Sequence, residues 1–382
     1  MDNKGTAQFR RNSIALYKAI MKNFKVRCLK PNDMPKMALL LQTREDLDLE
    51  GAAKRKILLE WLAFKNPSAG REPTYFIAEH DGRIVAHLGR MPTVFVINGR
   101  LEKGYYVHDL YVHPDYRKKG MGFFLTMSLY KTVEESSDSF CCLIWTSALN
   151  LEFQRRRGYH ELQAHAYVKI LNPEYKIRKS LKPKMLIKPT IPILKMFFAL
   201  LDLFFVRPIP VRAKILKIER FDKAYNDWRQ NMIHKFGIQP FKVDSYLNWK
   251  LIDRPFSRTE VFAAKENDQF KGFLILSSNN CNGIQEGIIV DLITDPSDEK
   301  TISALIRKAV EYFSDQQMNS ILCIFTDRRI IRLLRRFFFL KAPKGLPIML
   351  GNLEKFQKKE YLTDISNWHL SLGDSDGMML EP

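Results

Sequence analysis

Arg117, Lys118 and Lys119 stand directly before Gly120, Met121 and Gly122. An apolar run ending Leu110-Tyr111-Val112 breaks at Pro114 just before them, and a helical pattern begins just after. Cations ahead of two residues without Cβ atoms, at a helix start, make an anion-binding arrangement. A helix N-terminus carries backbone N–H groups with no intrahelical partner, and the macrodipole adds roughly half a positive charge there. Phosphate oxygens suit that position, and glycine lets the backbone approach them closely. The loop is therefore expected to hold a pyrophosphate. The spacing is not Gly, four residues, Gly-Lys-Ser/Thr, and no acidic residue lies about twenty positions on to hold a ribose. Nucleoside-triphosphate and dinucleotide folds are thereby set aside.

The elements that position this loop follow from hydrophobic period and turn chemistry. Phe24 to Leu29 alternates as a strand, and Pro31-Asn32-Asp33 breaks it ahead of a helix over Met34 to Gln42. A second helix covers roughly Ala52 to Ala63. Asp81-Gly82 is a two-residue hairpin signal between strands over Tyr75 to Glu79 and Arg83 to Arg90, and Asn98-Gly99 turns further strand over Arg90 to Val96 into Tyr105 to Val112. After the loop, Gly120 to Val133 has helical spacing and Phe140 to Trp145 is a short buried strand. A last helix, Leu149 to Arg157, stops at Gly158 before a strand over Tyr159 to Leu171.

Val112, Pro114, Arg117, Gly120 and Gly122, in that order of elements, resemble motif A of the GNAT acyltransferase superfamily, and residues 24 to 171 fit that family's succession of elements. The resemblance implies an α/β (α+β) fold with a mixed, mostly antiparallel sheet flanked by helices, and acetyl-CoA or another acyl-CoA as cosubstrate. It implies that the backbone from Arg117 through Lys118, Lys119, Gly120 and Met121 to Gly122 takes the CoA pyrophosphate. Leu110, Tyr111 and Val112 would lie along the pantetheine and thioester.

Acyl transfer to an amine also needs a base for the ammonium and an acid for the leaving thiolate. His108 and Asp109, adjacent on the strand that meets the cofactor, are the candidate bases, with Glu79 and His87 on neighbouring strands. Alternation lets only one of His108 and Asp109 face a cleft. The family's acid is a tyrosine four residues before a Gly-Phe, with an asparagine upstream. Here Gln154 and Ser147 stand in those places, in Phe153-Gln154-Arg155-Arg156-Arg157-Gly158-Tyr159. The acid is then Tyr159, Tyr111 or water, or else the domain binds acyl-CoA as a sensor without efficient turnover.

The second half repeats the first. Trp61 with Pro67 corresponds to Trp249 with Pro255, Phe76 to Ala86 corresponds to Phe262 to Gly272, and Asp109-Leu110 to Pro114 corresponds to Asp291-Leu292 to Pro296. Further on, Thr146 pairs with Thr326 and Gln154-Arg155-Arg156 with Leu334-Arg335-Arg336. In place of the glycine loop stands Ser297-Asp298-Glu299-Lys300-Thr301, which would repel a pyrophosphate. The expectation is two tandem GNAT-like domains, the second degenerate. The expected boundaries are an N-terminal helical extension (1–23), a domain with the acyl-CoA site (24–172), a linker (173–212), the degenerate domain (213–350) and a C-terminal tail (351–382) in which Asp374-Ser375-Asp376-Gly377 forms an exposed turn.

With 46% hydrophobic and 27% charged residues in 382, the chain has the composition of a folded two-domain protein rather than a disordered one. A net charge of +19 suits polyanionic partners. No nucleic-acid motif is present, so nucleic acid is not the expected partner. The expected acceptor is a small amine, acidic or sugar-linked, bound in a cleft between the domains. Ile191 to Val206 is the most apolar stretch and follows a basic run from Lys176 to Lys188. It falls short of the roughly twenty residues of a membrane span, leaving an interdomain helix or a peripheral contact with anionic lipid. The five cysteines lack Cys-x-x-Cys spacing and are expected as reduced core residues. No histidines stand four apart on a helix, so no metal site is expected. Nothing at the N-terminus reads as a secretory signal, which makes a cytoplasmic location the expectation.

Overall fold

The computed structural model describes residues 23–118, 120–136, 139–144, 148–172, 196, 211–281, 283–356 and 359–375. The expected N-terminal extension and linker, including Ile191 to Val206, fall almost wholly outside these residues. The described residues form two compact units: those up to 93 together with those of 103–142, and those of 94–102 together with those from 143 onward.

The first unit opens with β1 (Phe24–Cys28), α1 (Met34–Leu41) and α2 (Leu49–Phe64). Asp48 caps α2 by accepting from the Gly51 amide at 2.7 Å. Then come β2 (Tyr75–His80), β3 (Arg83–Ile97), β4 (Arg100–Val112), α3 (Met121–Glu135) and β5 (Phe140–Ile144). The sheet runs β1-β2-β3-β4-β5. Both predicted hairpin turns are present, with Asp81, Gly82, Asn98 and Gly99 all at positive φ. β4 and β5 are parallel, paired from Gly104 and Phe140 to Tyr106 and Cys142. β4 then continues for six residues beyond that register.

The second unit receives α4 (Ala148–Arg156) and β6 (His160–Ile170), followed by β7 (Lys214–Ile218), α5 (Lys223–Asn231) and β8 (Ile238–Pro240). A short helix α6 (Asp244–Leu247) widens into the turn Asn248–Ile252. β9 (Glu260–Glu266), β10 (Gln269–Cys281), β11 (Ile284–Thr294), α7 (Glu299–Asp315), β12 (Ser320–Ile324), α8 (Arg328–Arg336) and β13 (Leu340–Gly351) repeat the order of β2 to β6. A short helix α9 (Lys359–Thr363) and a C-terminal segment to Ser375 follow.

The sheet of this unit runs β13-β6-β12-β11-β10-β9-β7. β6, expected to end the first domain at 172, is thus inserted antiparallel between β12 and β13, so the compact units do not divide there. Its residues explain why it takes a central place. Tyr167 packs with Leu305, Ile306 and Leu333 beneath α7 and α8, and Ala166 packs on the opposite face with Tyr225, Leu247 and Phe273. A strand apolar on both faces needs a central place with cover on each side.

Two expectations are corrected. Cys28 is exposed rather than a core residue, although Cys323 is buried as expected. The C-terminal segment is not an exposed turn: Trp368 is 0% exposed, and Asp374 and Ser375 are 1% and 2% exposed. Trp368 pairs with Ile238, Ser371 pairs with Phe325, and Thr326 donates its amide to Leu370 at 3.1 Å. The buried ammonium of Lys242 accounts for the turn, because Asp374 is one of its two carboxylates.

Trp368→Ala is expected to destabilise the second unit by about 3–5 kcal/mol in urea denaturation, the usual cost of emptying an aromatic core site. A change under about 1 kcal/mol would show that the C-terminal segment is not part of that core.

Candidate functional site

The glycine loop is held from below by its own arginine. Arg117 Nε donates to the Val112 carbonyl at 2.8 Å, and its guanidinium lies 5.1 Å from the centre of the Tyr111 ring. Arg44 covers the same ring at 5.2 Å, and the Tyr111 hydroxyl donates to the Thr43 carbonyl at 2.7 Å. Tyr111 and Val112 are buried, while Leu110 between Asp109 and Tyr111 is partly open.

Gly120 is the N-cap of α3 with φ 74°, a conformation that costs an L-residue energy. It offers no side chain to the first-turn amides. Gly122 is required for a different reason: a Cβ there would sit 3.1 Å from Arg117 Cα. The loop therefore lies tight against the helix start and leaves its amides uncapped by any side chain. Lys118 is exposed beside it, and Lys119 lies outside the described residues. All of this occurs where β4 has run past its register with β5. The arrangement can bind an anion at the helix start, where β4 continues past its described register with β5.

Beneath β4 sits a buried ionic cluster. Asp109 has φ 52°, which breaks the strand's alternation and lets both His108 and Asp109 be buried, each at 7% exposure. Asp109 lies 2.5 Å from Arg55, 3.6 Å from Arg44 and 3.8 Å from His87, and the Tyr75 hydroxyl donates to it at 3.2 Å. Burial alone would raise its pKa, but the Arg55 guanidinium and the two histidines hold it well below the usual carboxylate range. It is a buried counter-ion. Glu79 is likewise committed, to Arg27 at 3.1 Å and Lys36 at 3.2 Å.

The imidazoles differ from the carboxylates. His87 is fully enclosed, and desolvation pushes its pKa down to about 4 despite the attraction of Asp109, so it is neutral at physiological pH. His108 stands edge-on to Tyr75 at 5.3 Å and lies over Gly89, where a Cβ would come within 2.6 Å of its Cε1. His87, His108, Asp109 and Tyr111 are thus brought together within the first unit. Tyr159 belongs to the second unit, packed against Gly351 with the Arg157 guanidinium 5.1 Å from its ring centre. Gln154 is fully buried there, donating to Asn150 at 3.1 Å and accepting from Arg157 at 3.0 Å. Its amide is used structurally.

The equivalent place in the second unit is built against an anion. Asp298 caps α7, accepting from the Thr301 amide at 3.0 Å and its hydroxyl at 2.6 Å. β11 and β12 pair only from Glu286 and Ser320 to Ile289 and Cys323. Beyond that point the C-terminal segment fills the gap, through Ser371 against Phe325 and Gly373 against Val290. Asp291, the counterpart of Asp109, lies 2.6 Å from Lys242. Sequence reasoning missed Arg55, Tyr75 and Lys242 because the two cations come from helices or loops distant in the chain; the paired Asp109 and Asp291 were the one signal pointing to them.

Residues 40–159 match the model of the acetyltransferase (GNAT) family. That stretch is a GNAT domain, and the chain carries it at the loop, β4 and α3 described above. A search of curated protein sequences finds no match. Among solved structures, a GCN5-related N-acetyltransferase from Anabaena variabilis is similar over 86% of this chain and 72% of its own, with TM-score 0.58 and 10% identity. N-myristoyltransferase from Saccharomyces cerevisiae with bound myristoyl-CoA is similar over 86% of this chain and 83% of its own, with TM-score 0.54 and 12% identity. A GCN5-related N-acetyltransferase from Kribbella flavida covers 86% and 70%, with TM-score 0.54 and 11% identity. At such identities the likeness is one of fold.

Asp109→Asn is expected to lower stability by about 3–5 kcal/mol, since it leaves Arg55 buried beside a neutral group. A loss below about 1 kcal/mol in denaturant titration would contradict the counter-ion role. The histidine gives a pH signature. Its folded pKa of about 4 lies below the ordinary 6.5, so the unfolded chain takes up the proton first. Stability contributed above pH 6.5 is therefore lost progressively between 6.5 and 4. His87→Gln is expected to flatten that part of the stability profile, and an unchanged slope would count against the enclosed neutral imidazole.

Proposed function

We propose that this protein transfers an acyl group from CoA to an amine at the first unit. The observation that carries the reading is the uncapped start of α3 behind Arg117 to Gly122, set where β4 leaves its partner strand. The first-turn amides would receive the CoA pyrophosphate, with Arg117 and Lys118 adding charge. The backbone of β4 at Leu110, Tyr111 and Val112 would align the pantetheine. Attack by the amine nitrogen on the thioester carbonyl forms the amide C–N bond and breaks C–S. One proton must leave the amine and one must reach the thiolate.

With Asp109 and Glu79 committed to ion pairs, and His87 enclosed, His108 is the base retained. The acid is water or a tyrosine, because Gln154 at the family's tyrosine position is neither acidic nor free. The basic excess makes an acidic or sugar-linked primary amine the acceptor class to test first. The engaged amide of Gln154 favours one alternative: an acyl-CoA sensor that binds without efficient turnover.

Thiol release from acetyl-CoA across a panel of acidic and sugar-linked amines decides between these. Transfer predicts amine-dependent thiol release, reduced about 100-fold or more in His108→Gln. Stoichiometric acetyl-CoA binding with no amine-dependent release would establish the sensor instead.

A further inference from the structure

α8 presents a charged surface that the acyl-transfer reading does not use. It carries five arginines in nine residues, Arg328, Arg329, Arg332, Arg335 and Arg336, and no acidic residue. Its buried side is Ile330, Leu333 and Leu334. At the helical repeat, Arg328, Arg332, Arg335 and Arg336 fall within an arc of about 100° on the opposite side. All four are exposed. Arg329 lies 2.9 Å from Asp327, and Arg332 is paired with Glu299 of α7. Arg335 and Arg336 have no ion-pair partner among the described residues.

Such a stripe works against its own helix. Arg328, Arg332 and Arg336 follow one another at intervals of four, and like charges at that spacing repel. Solvated helix faces ordinarily mix the signs of their charges, so that neighbours one turn apart attract. The residue type is also particular. A guanidinium offers phosphate two parallel N–H donors, where an ammonium is a point charge. From Arg328 to Arg336 the stripe runs about 12 Å, long enough to meet several phosphates rather than one.

Two observations select a bilayer among phosphate-bearing surfaces. Strands of nucleic acid are held by stacking as well as charge, and the rings beside α8 are not offered for it. Phe337 and Phe339 are buried, and the Lys169 ammonium lies 5.8 Å from the Phe338 ring centre. The second observation is where the chain leaves β6. Lys169, one residue before the end of that strand, donates to the Phe337 carbonyl at 3.0 Å, so β6 ends beside the C-terminal end of α8. The sequence that follows β6 carries the basic run from Lys176 to Lys188 and then its most apolar stretch, Ile191 to Val206. A bilayer accommodates phosphate-binding cations and apolar residues side by side.

We propose that the outer face of α8 binds the anionic headgroups of a phospholipid bilayer, with Arg335 and Arg336 as the principal contacts. Their guanidinium N–H groups donate to headgroup phosphate oxygens, and Arg328 extends the contact along the helix. The attraction is between exposed charges and therefore weakens with salt. The glycine loop takes no part in it, so the surface stands or falls apart from acyl transfer.

Co-sedimentation of the full-length protein with vesicles tests the proposal. The protein is expected to pellet with mixed phosphatidylcholine and phosphatidylglycerol vesicles and to stay in solution with phosphatidylcholine alone. Arg335→Gln combined with Arg336→Gln breaks no ion pair; it is expected to melt as the wild type does and to partition about tenfold more weakly or worse. Lysine at both positions keeps the charge and should retain most of the binding. Equal partitioning of the wild type and the glutamine variant, or none by the wild type, would overturn the proposal. So would tighter binding to a DNA duplex than to the anionic vesicles, lost in the same variant, which would give the face to nucleic acid.

Discussion

A helix start left without a side-chain cap is the feature on which the chemistry proposed for the first unit depends. Most helices satisfy one of their first amides with a Ser, Thr, Asp or Asn side chain. α2, α5, α7 and α8 do so here through Asp48, Asp222, Asp298 and Asp327. α3 does not: Gly120 caps it in a left-handed conformation, and the residues around it are cationic. An uncapped start costs stability unless something else meets the amides. A bound anion does that, and Gly122 lets the loop lie close enough for the amides to be presented together.

The second unit shows the same scaffold with that feature removed. Its aspartate cap satisfies α7 internally, and the chain's own C-terminal segment occupies the gap between parting strands. What both units retain is a carboxylate on the strand before the helix, each neutralising a buried cation: Asp109 with Arg55, Asp291 with Lys242. Removing either partner would leave a buried charge uncompensated. Both units thus keep a buried carboxylate–cation pair, and the second caps its helix start with its own aspartate.

Much of the fold was legible because hydrophobic period and turn chemistry are local. Asp81-Gly82, Asn98-Gly99 and the helices on either side of Phe140 lie where their residues predict. The placement of the glycine loop was readable for the same reason: Gly120 falls at the N-cap of α3 and Gly122 against Arg117, all contiguous in the chain. Partner choice was not. β6 reads as a strand, but nothing in its residues names β12 and β13 as its neighbours. The role of Asp109 depended on Arg55 and Arg44, more than fifty residues away, so a proton acceptor and a counter-ion looked alike in sequence. The tail misled for a related reason: Asp374-Ser375 has turn chemistry, and only the ammonium of Lys242 makes its burial favourable.

The most direct measurement is a calorimetric titration of acetyl-CoA into the wild-type protein and Gly120→Asp. That variant sets a carboxylate beside the first-turn amides, at a left-handed position that costs aspartate less than most side chains. Clear binding by the wild type, weakened about 100-fold or more in a variant whose thermal melt shows it still folded at the assay temperature, is the predicted result. Equal affinity in the two proteins, or no binding by the wild type, would contradict the assignment of the uncapped helix start as the acyl-CoA site.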